Sequence, residues 1–243
     1  MGTMEAYRYQ DEKSDKFWRI EYEGAALAVN YGKTGTTGRY QVKEFGDEGE
    51  CEKEAKKLAA SKVKKGYLPY PEFDPLKQLY FDDEELGPHP LTSHPNFRRG
   101  FDDELYYSCI DEEAPFGSDE GSDTLYWVAE GLRNVKALDF AAFPKKAVEE
   151  YCGMSYIPPG DISRDAVERL LKEDEMALTQ SDMTTYAVAF AQIKITGRLD
   201  AGLKEAAIGS MRRIAAVADI MGWGPPSEIG ERMVADLERF PAD

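Results

Sequence analysis

Histidine is nearly absent from this chain: His89 and His94 are the only two in 243 residues. A Ser-His-Asp hydrolase would have to use one of them. No Gly-x-Ser-x-Gly elbow accompanies either, and Ser93 beside His94 in sequence is no evidence of a triad. The ordinary reading is a loop histidine making a capping hydrogen bond. Cysteine is also scarce. Cys51, Cys109 and Cys152 are odd in number and form no Cys-x-x-Cys pair, which argues against a disulfide framework and a zinc site and fits a reducing cytoplasm. No apolar run approaches a membrane span. Met1 to Tyr9 offers no apolar stretch ahead of a small-residue cleavage site, which argues against secretion. A cytoplasmic protein with no membrane partner is the expectation. P-loop, dinucleotide, zincin and kinase motifs are missing as well. The sequence therefore assigns no cofactor, no metal and no catalytic residue.

Positive charge is in short supply overall, with a net of −16. The deficit is uneven. Residues 1–70 hold 13 Lys+Arg against 12 Asp+Glu, and residues 71–243 hold 17 against 34. The acidic part repels polyanions, so only the first part is suited to a phosphate backbone.

In residues 1–70, Trp18, Ile20 and Tyr22 share one face by a period of two. After Gly24, positions Ala25, Leu27, Val29 and Tyr31 alternate with Ala26, Ala28 and Asn30, which predicts a β-hairpin. Tyr31-Gly32-Lys33-Thr34-Gly35-Thr36-Thr37-Gly38-Arg39 follows as a glycine turn. Its glycines suit positive φ or a close backbone approach. A third strand is expected over about Arg39 to Phe45. Glu48 to Lys65 reads as a helix with Cys51, Ala55, Leu58, Ala59 and Val63 on one side. Lys53, Lys56, Lys57 and Lys64 gather on the other, with Glu52 and Glu54 as partners. Lys62 falls in the apolar arc, where a lysine snorkels to water, and Gly66 is a natural helix terminator.

Phe17-Trp18, Tyr31-Gly32-Lys33, Gly35, Gly38, Phe45 and Lys64-Lys65-Gly66-Tyr67 together resemble a WGR domain over roughly residues 16–70. The resemblance implies a small antiparallel sheet with one helix packed on it. In DNA-dependent poly(ADP-ribose) polymerases the module contacts DNA at a break, the motif Trp stacking at the duplex end and the motif Arg touching the backbone. It also occurs in bacterial proteins of the MolR and YfeS type, and the length and acidic second half look most like the YfeS type. Here Tyr31 replaces the Trp, leaving a smaller ring that still stacks on a base. Lys33 replaces the Arg, keeping charge without the planar fork. The implied nucleic-acid-binding residues are Tyr31, Lys33, Arg39, Lys64 and Lys65. Nothing resembles the polymerases' catalytic domain, so their transferase activity does not follow.

Residues 71–96 are punctuated by prolines and read as a connection, with Leu79-Tyr80-Phe81 docking on a neighbouring unit. The acidic remainder, residues 97–243, reads as mostly helical. Ser122 or Asp123 caps a helix through Leu132, Ser163 caps one to about Glu175, and Ser181 caps Met183 to Ile195. Asp200 to Met221 and Ser227 to Phe240 complete the set. Asp119 and Asp123 invite a metal reading, but the EF-hand spacing is missing.

The fold expected is therefore α+β: a WGR-like domain (1–70), a Pro-rich connection (71–96) and an acidic helical domain (97–243). The leading function is a non-enzymatic binding or adaptor protein with DNA or RNA as partner of the first domain. The alternatives are a protein-interaction module with no nucleic-acid role, and a metal-dependent hydrolase using the Asp119–Asp123 loop.

Overall fold

The computed structural model describes residues 2–134 and 137–243. The chain divides into two compact units, Met1–Pro95 and Asn96–Asp243.

In the first unit, β1 (Thr3–Gln10), β2 (Asp15–Glu23), β3 (Ala26–Lys33), β4 (Arg39–Glu44) and the short β5 (Leu68–Pro69) form an antiparallel sheet in the order β4-β3-β2-β1-β5. The hairpin β2–β3 and strand β4 follow the predicted alternation. Strand β1 was not foreseen. Its two faces, Glu5/Tyr7/Tyr9 and Met4/Ala6/Arg8, both mix apolar and polar groups, so a period of two leaves little contrast in the sequence.

Helix α1 (Glu48–Lys64) covers one face of the sheet, burying Cys51, Ala55 and Ala59 against Trp18, Ile20 and Leu27. Asp47 caps it, accepting from Glu50 N at 2.9 Å. On its solvent side Lys56 pairs with Glu52 and Lys57 with Glu54. The apolar arc is corrected at its end: Val63 is 52% exposed, and Lys62 takes the inward position. The helix ends there, so the arc has no sheet left beneath Val63, while the rings of the sheet reach Lys62.

The opposite face is covered by residues 73–91. Tyr80, Phe81 and Leu91 are buried, and Leu91 packs on Ala28 and Val42. Buried Arg19 lies among rings, 4.6 Å from the Tyr80 centroid, 5.3 Å from Tyr40 and 5.6 Å from Phe73. Tyr40 donates to the Leu79 carbonyl at 2.8 Å. Asp83 accepts from Val42 N at 2.7 Å and so caps the otherwise open edge of β4.

The second unit is helical: α2 (Pro95–Gly100), α3 (Asp119–Asn134), α4 (Phe143–Lys146, continued by a π turn over Ala147–Tyr151), α5 (Arg164–Thr196), α6 (Ala201–Met221) and α7 (Glu228–Arg239). Helix α5 packs against α3 and α6; Ala187, Phe190 and Ala191 of the predicted core face are buried, but so is every residue from Thr184 to Ile195, so the helix is enclosed on all sides. Three caps differ from expectation. Helix α3 starts earlier, with Ser118 accepting from Gly121 N at 3.1 Å. Ser163 stands before α5 but gives its hydroxyl to Asp161. Ser181 lies inside α5, because the helix breaks at Asp174 instead, where Oδ1 accepts from Ala177 N. Buried Ser181 accepts from Ile157 N at 2.9 Å. A serine read as a cap was thus a tether for a distant loop. Among the described residues, no helix is long and apolar enough to cross a membrane.

Candidate nucleic-acid interface

Strand pairing assembles a cationic and aromatic surface on the α1 side of the sheet. Alternate side chains of a strand share a face. The register sets Tyr7 opposite Trp18, Trp18 opposite Tyr31, and Tyr31 opposite Arg39. At about 4.8 Å per strand, this row spans roughly 14 Å. Two residues along, Lys16 faces Lys33. Like charges opposed across a strand pair are unfavourable, and neither lysine makes an ion pair among the described residues.

Rings support the row from below. The Tyr7 and Trp18 centroids are 5.8 Å apart. Trp18 is core, and Tyr31 is half-buried against the same cluster. The Lys62 ammonium reaches the row from α1, 5.2 Å from the Trp18 ring, 5.9 Å from Tyr31 and 5.4 Å from Tyr67. Burial, and then the charge of Lys65, push the Lys62 amine below the usual lysine range.

The turn from β3 to β4 is fixed by hydrogen bonds. Asp15 accepts from Thr34 Oγ1 at 2.7 Å, and its carbonyl from Thr34 N at 3.0 Å. Thr36 Oγ1 donates to the Lys33 carbonyl, and Asn30 Nδ2 to the carbonyls of Thr37 and Arg39. Arg8 grips Asp15 at 2.8 and 2.6 Å. Arg8 first, then Thr34, hold the Asp15 carboxyl well down, at about 2. A depressed carboxyl adds stability that is present above the unfolded value near 3.9 and is lost as pH falls through the folded one. Acid melts of wild type and Asp15→Asn should therefore converge as pH drops from about 4 to about 2. Curves that stay equally separated over that interval would contradict the role given to Asp15.

Of the residues singled out in the sequence, Tyr31, Lys33 and Arg39 lie together, and Lys65 lies within electrostatic reach of Lys62. Lys64 does not join them: two positions past Lys62, it is about 200° round the helix and exposed. Arg39 is exposed and pairs loosely with Glu84 at 3.6 Å. Lys16 and Lys62 were missed. The signal for Lys62 was present, a cation inside an apolar arc above strands rich in aromatics.

Asp119 and Asp123 lie in the first turns of α3, and among the described residues no group of three His, Cys, Asp or Glu side chains could hold a metal ion. His89 Nδ1 accepts from Leu91 N at 3.0 Å, the capping role expected of it. Buried His94 sits edge-on to Tyr80. In the second unit an open cavity of about 610 Å³ is bordered by Asp103, Glu104, Tyr107, Cys109 and Arg232. Arg232 on its wall is paired with Asp103 at 2.5 Å.

The WGR domain family matches residues 4–74, which contain every residue of the candidate surface except Glu84. Escherichia coli (strain K12) YfeS, an uncharacterised protein, is 49% identical over 235 residues, covering 96% of each chain. The chain belongs to the YfeS family. A second relative, YehF of the same organism, is 48% identical over 65 residues, which is 27% of this chain and 24% of YehF. YehF shares with the YfeS-type chain a segment of about WGR size. A crystal structure of a Bacteroides fragilis protein is 29% identical, covering 50% of this chain and 38% of its own, with a TM-score of 0.28.

Proposed function

We propose that the first unit binds nucleic acid at an end or along the backbone, and that the chain is a non-enzymatic binding protein. The supporting observation is the in-register row Trp18–Tyr31–Arg39 with Lys16 and Lys33 beside it and Lys62 over it. The partly exposed Tyr31 ring, backed by buried Trp18, offers sequence-tolerant stacking, and cations follow a phosphate backbone. Lys16 and Lys33 oppose each other across the strand pair without a close ion pair among the described residues, a repulsion that a polyanion would relieve. The WGR match points the same way, since such domains are associated with nucleic-acid binding. The second unit, with 16 Lys+Arg against 28 Asp+Glu, repels the same ligand and tunes affinity downward.

Titrating the full chain with a labelled blunt-ended DNA duplex over a salt series tests this. Binding should be present at low salt and fall steeply as salt rises. Lys33→Gln with Arg39→Gln should flatten the logarithmic salt slope by about 1.8, at about 0.9 per phosphate contact. Tyr31→Ala should cost roughly tenfold without changing the slope, because stacking is worth about 1–3 kcal/mol per base and releases no counterion. Absence of binding at low salt overturns the reading and leaves the protein-interaction alternative.

A further inference from the structure

Lys62 is a feature of the first unit that the row alone does not explain. Its position is built. It follows Leu58 and Ala59 by four and three residues, so it continues the helix face that lies on the sheet. Three rings receive its ammonium, at 5.2, 5.4 and 5.9 Å from their centroids. Among the described residues it makes no ion pair, whereas Lys56 and Lys57 on the solvent side are each held by a glutamate. A desolvated ammonium on aromatic faces is attractive, and more so than an exposed one.

We infer that Lys62 is a competitive cover for the Tyr31 ring, and that the ligand admitted is one presenting a base to that ring and a phosphate to the displaced ammonium. This rests on the nucleic-acid reading above and adds a selection rule to it. A base cannot lie on the part of the Tyr31 ring that the ammonium occupies. Displacement sacrifices the cation–aromatic attraction, and the flexible four-carbon stem lets the ammonium turn outward to a phosphate oxygen. A ligand with phosphates and no rings leaves Lys62 seated and meets only the rim cations Lys16, Lys33, Arg39 and Lys65. A ring with no phosphate has nothing to offer the displaced charge. Nucleotides satisfy both demands.

The test compares full-length wild type, Lys62→Ala and Lys62→Met across a salt series with two probes, a blunt-ended DNA duplex and inorganic polyphosphate. Circular dichroism and thermal melts establish that each variant is folded. On DNA, Lys62→Ala should flatten the logarithmic slope by about 0.9 through loss of one phosphate contact. It should also uncover the ring, which improves the salt-independent part of affinity by about threefold. The two lines therefore cross: the variant is weaker at low salt and tighter at high salt. Lys62→Met keeps a chain over the ring without charge, so its line is flattened to the same degree but stays below that of Lys62→Ala. On polyphosphate, neither variant should differ in slope from wild type, and no crossing should occur. Parallel lines on DNA, or a Lys62→Ala line below wild type at every salt concentration, overturn the inference while wild-type binding keeps the broader reading intact. A crossing on polyphosphate as well overturns the selection rule. If wild type binds DNA at no salt concentration, the broader reading fails first and takes this one with it.

Discussion

Replacing Arg213 with methionine should destabilise the second unit by about 3–5 kcal/mol at neutral pH, the cost of leaving one partner of a buried ion pair behind. Arg213 is 1% exposed. Its guanidinium donates Nε to Asp182 Oδ2 at 2.9 Å and Nη2 to Oδ1 at 2.7 Å. The remaining donors reach the carbonyls of Pro158 and Ile157, each at 2.8 Å. One side chain on α6 thus neutralises a carboxylate on α5 and closes the loop between α4 and α5. Methionine restores the volume of the stem but satisfies none of these acceptors.

The pH dependence of that loss identifies its cause. Burial raises the Asp182 carboxyl to about 6, with Arg213 opposing the rise. A raised folded value means that proton binding favours the folded state. The contribution is full below the unfolded value near 3.9 and disappears as pH climbs through about 6. Without Arg213 the carboxyl holds its proton to higher pH still. The penalty should therefore be smaller at pH 5 than at pH 8, as read by urea unfolding with hydrogen exchange of the α5 and α6 amides. Adding Asp182→Leu to the methionine variant should recover the part of the loss due to the lone carboxylate, leaving the cost of the unpaired Pro158 and Ile157 carbonyls. A single-variant loss below about 1 kcal/mol at both pH values would show that the pair is solvated, contrary to its geometry.

Much of the first unit could be read from residue types because its constraints are local. A period of two places Trp18, Ile20 and Tyr22 on one face whatever covers them. Gly24 and Gly66 end their elements where they do because each has a positive φ, +55° and +85°. The candidate interface was partly legible for the same reason: Tyr31, Lys33 and Arg39 bracket one turn. Lys64 was assigned to it and Lys62 was not, because a helical wheel fixes angles but not where the helix stops over its sheet. Long-range choices were also hidden. Nothing near Ser181 reveals that its partner is Ile157, twenty-four positions away. The break in α5 at Asp174, with φ −162° and ψ 89°, falls beside the helix end expected near Glu175, but nothing local shows that the next helix starts at once rather than at Ser181.

Gly38→Ala should cost the first unit about 3 kcal/mol, the sum of a left-handed backbone of about 1–2 kcal/mol and an overpacked contact of at least about 1 kcal/mol. Gly38 has φ +70°, and a Cβ there would lie 2.5 Å from Phe17 Cζ, 2.8 Å from Asn30 Nδ2 and 2.8 Å from the Tyr31 carbonyl oxygen. Phe17 is buried, so its ring has little room to retreat. Asn30 cannot move without releasing the carbonyls of Thr37 and Arg39. Gly35 is the internal control. Its φ is +85°, yet a Cβ there meets nothing within 4 Å, so Gly35→Ala should cost only the backbone share, about 1–2 kcal/mol. Equal losses for the two variants would show that the turn relaxes freely and that Phe17 does not hold it. The difference matters for function because Gly38 stands between Lys33 and Arg39. If the turn yields, Arg39 leaves its place opposite Tyr31, and DNA affinity in the alanine variant should fall even under conditions where the unit remains folded. Gly35→Ala, with the same backbone strain and no intrusion, should leave that affinity unchanged.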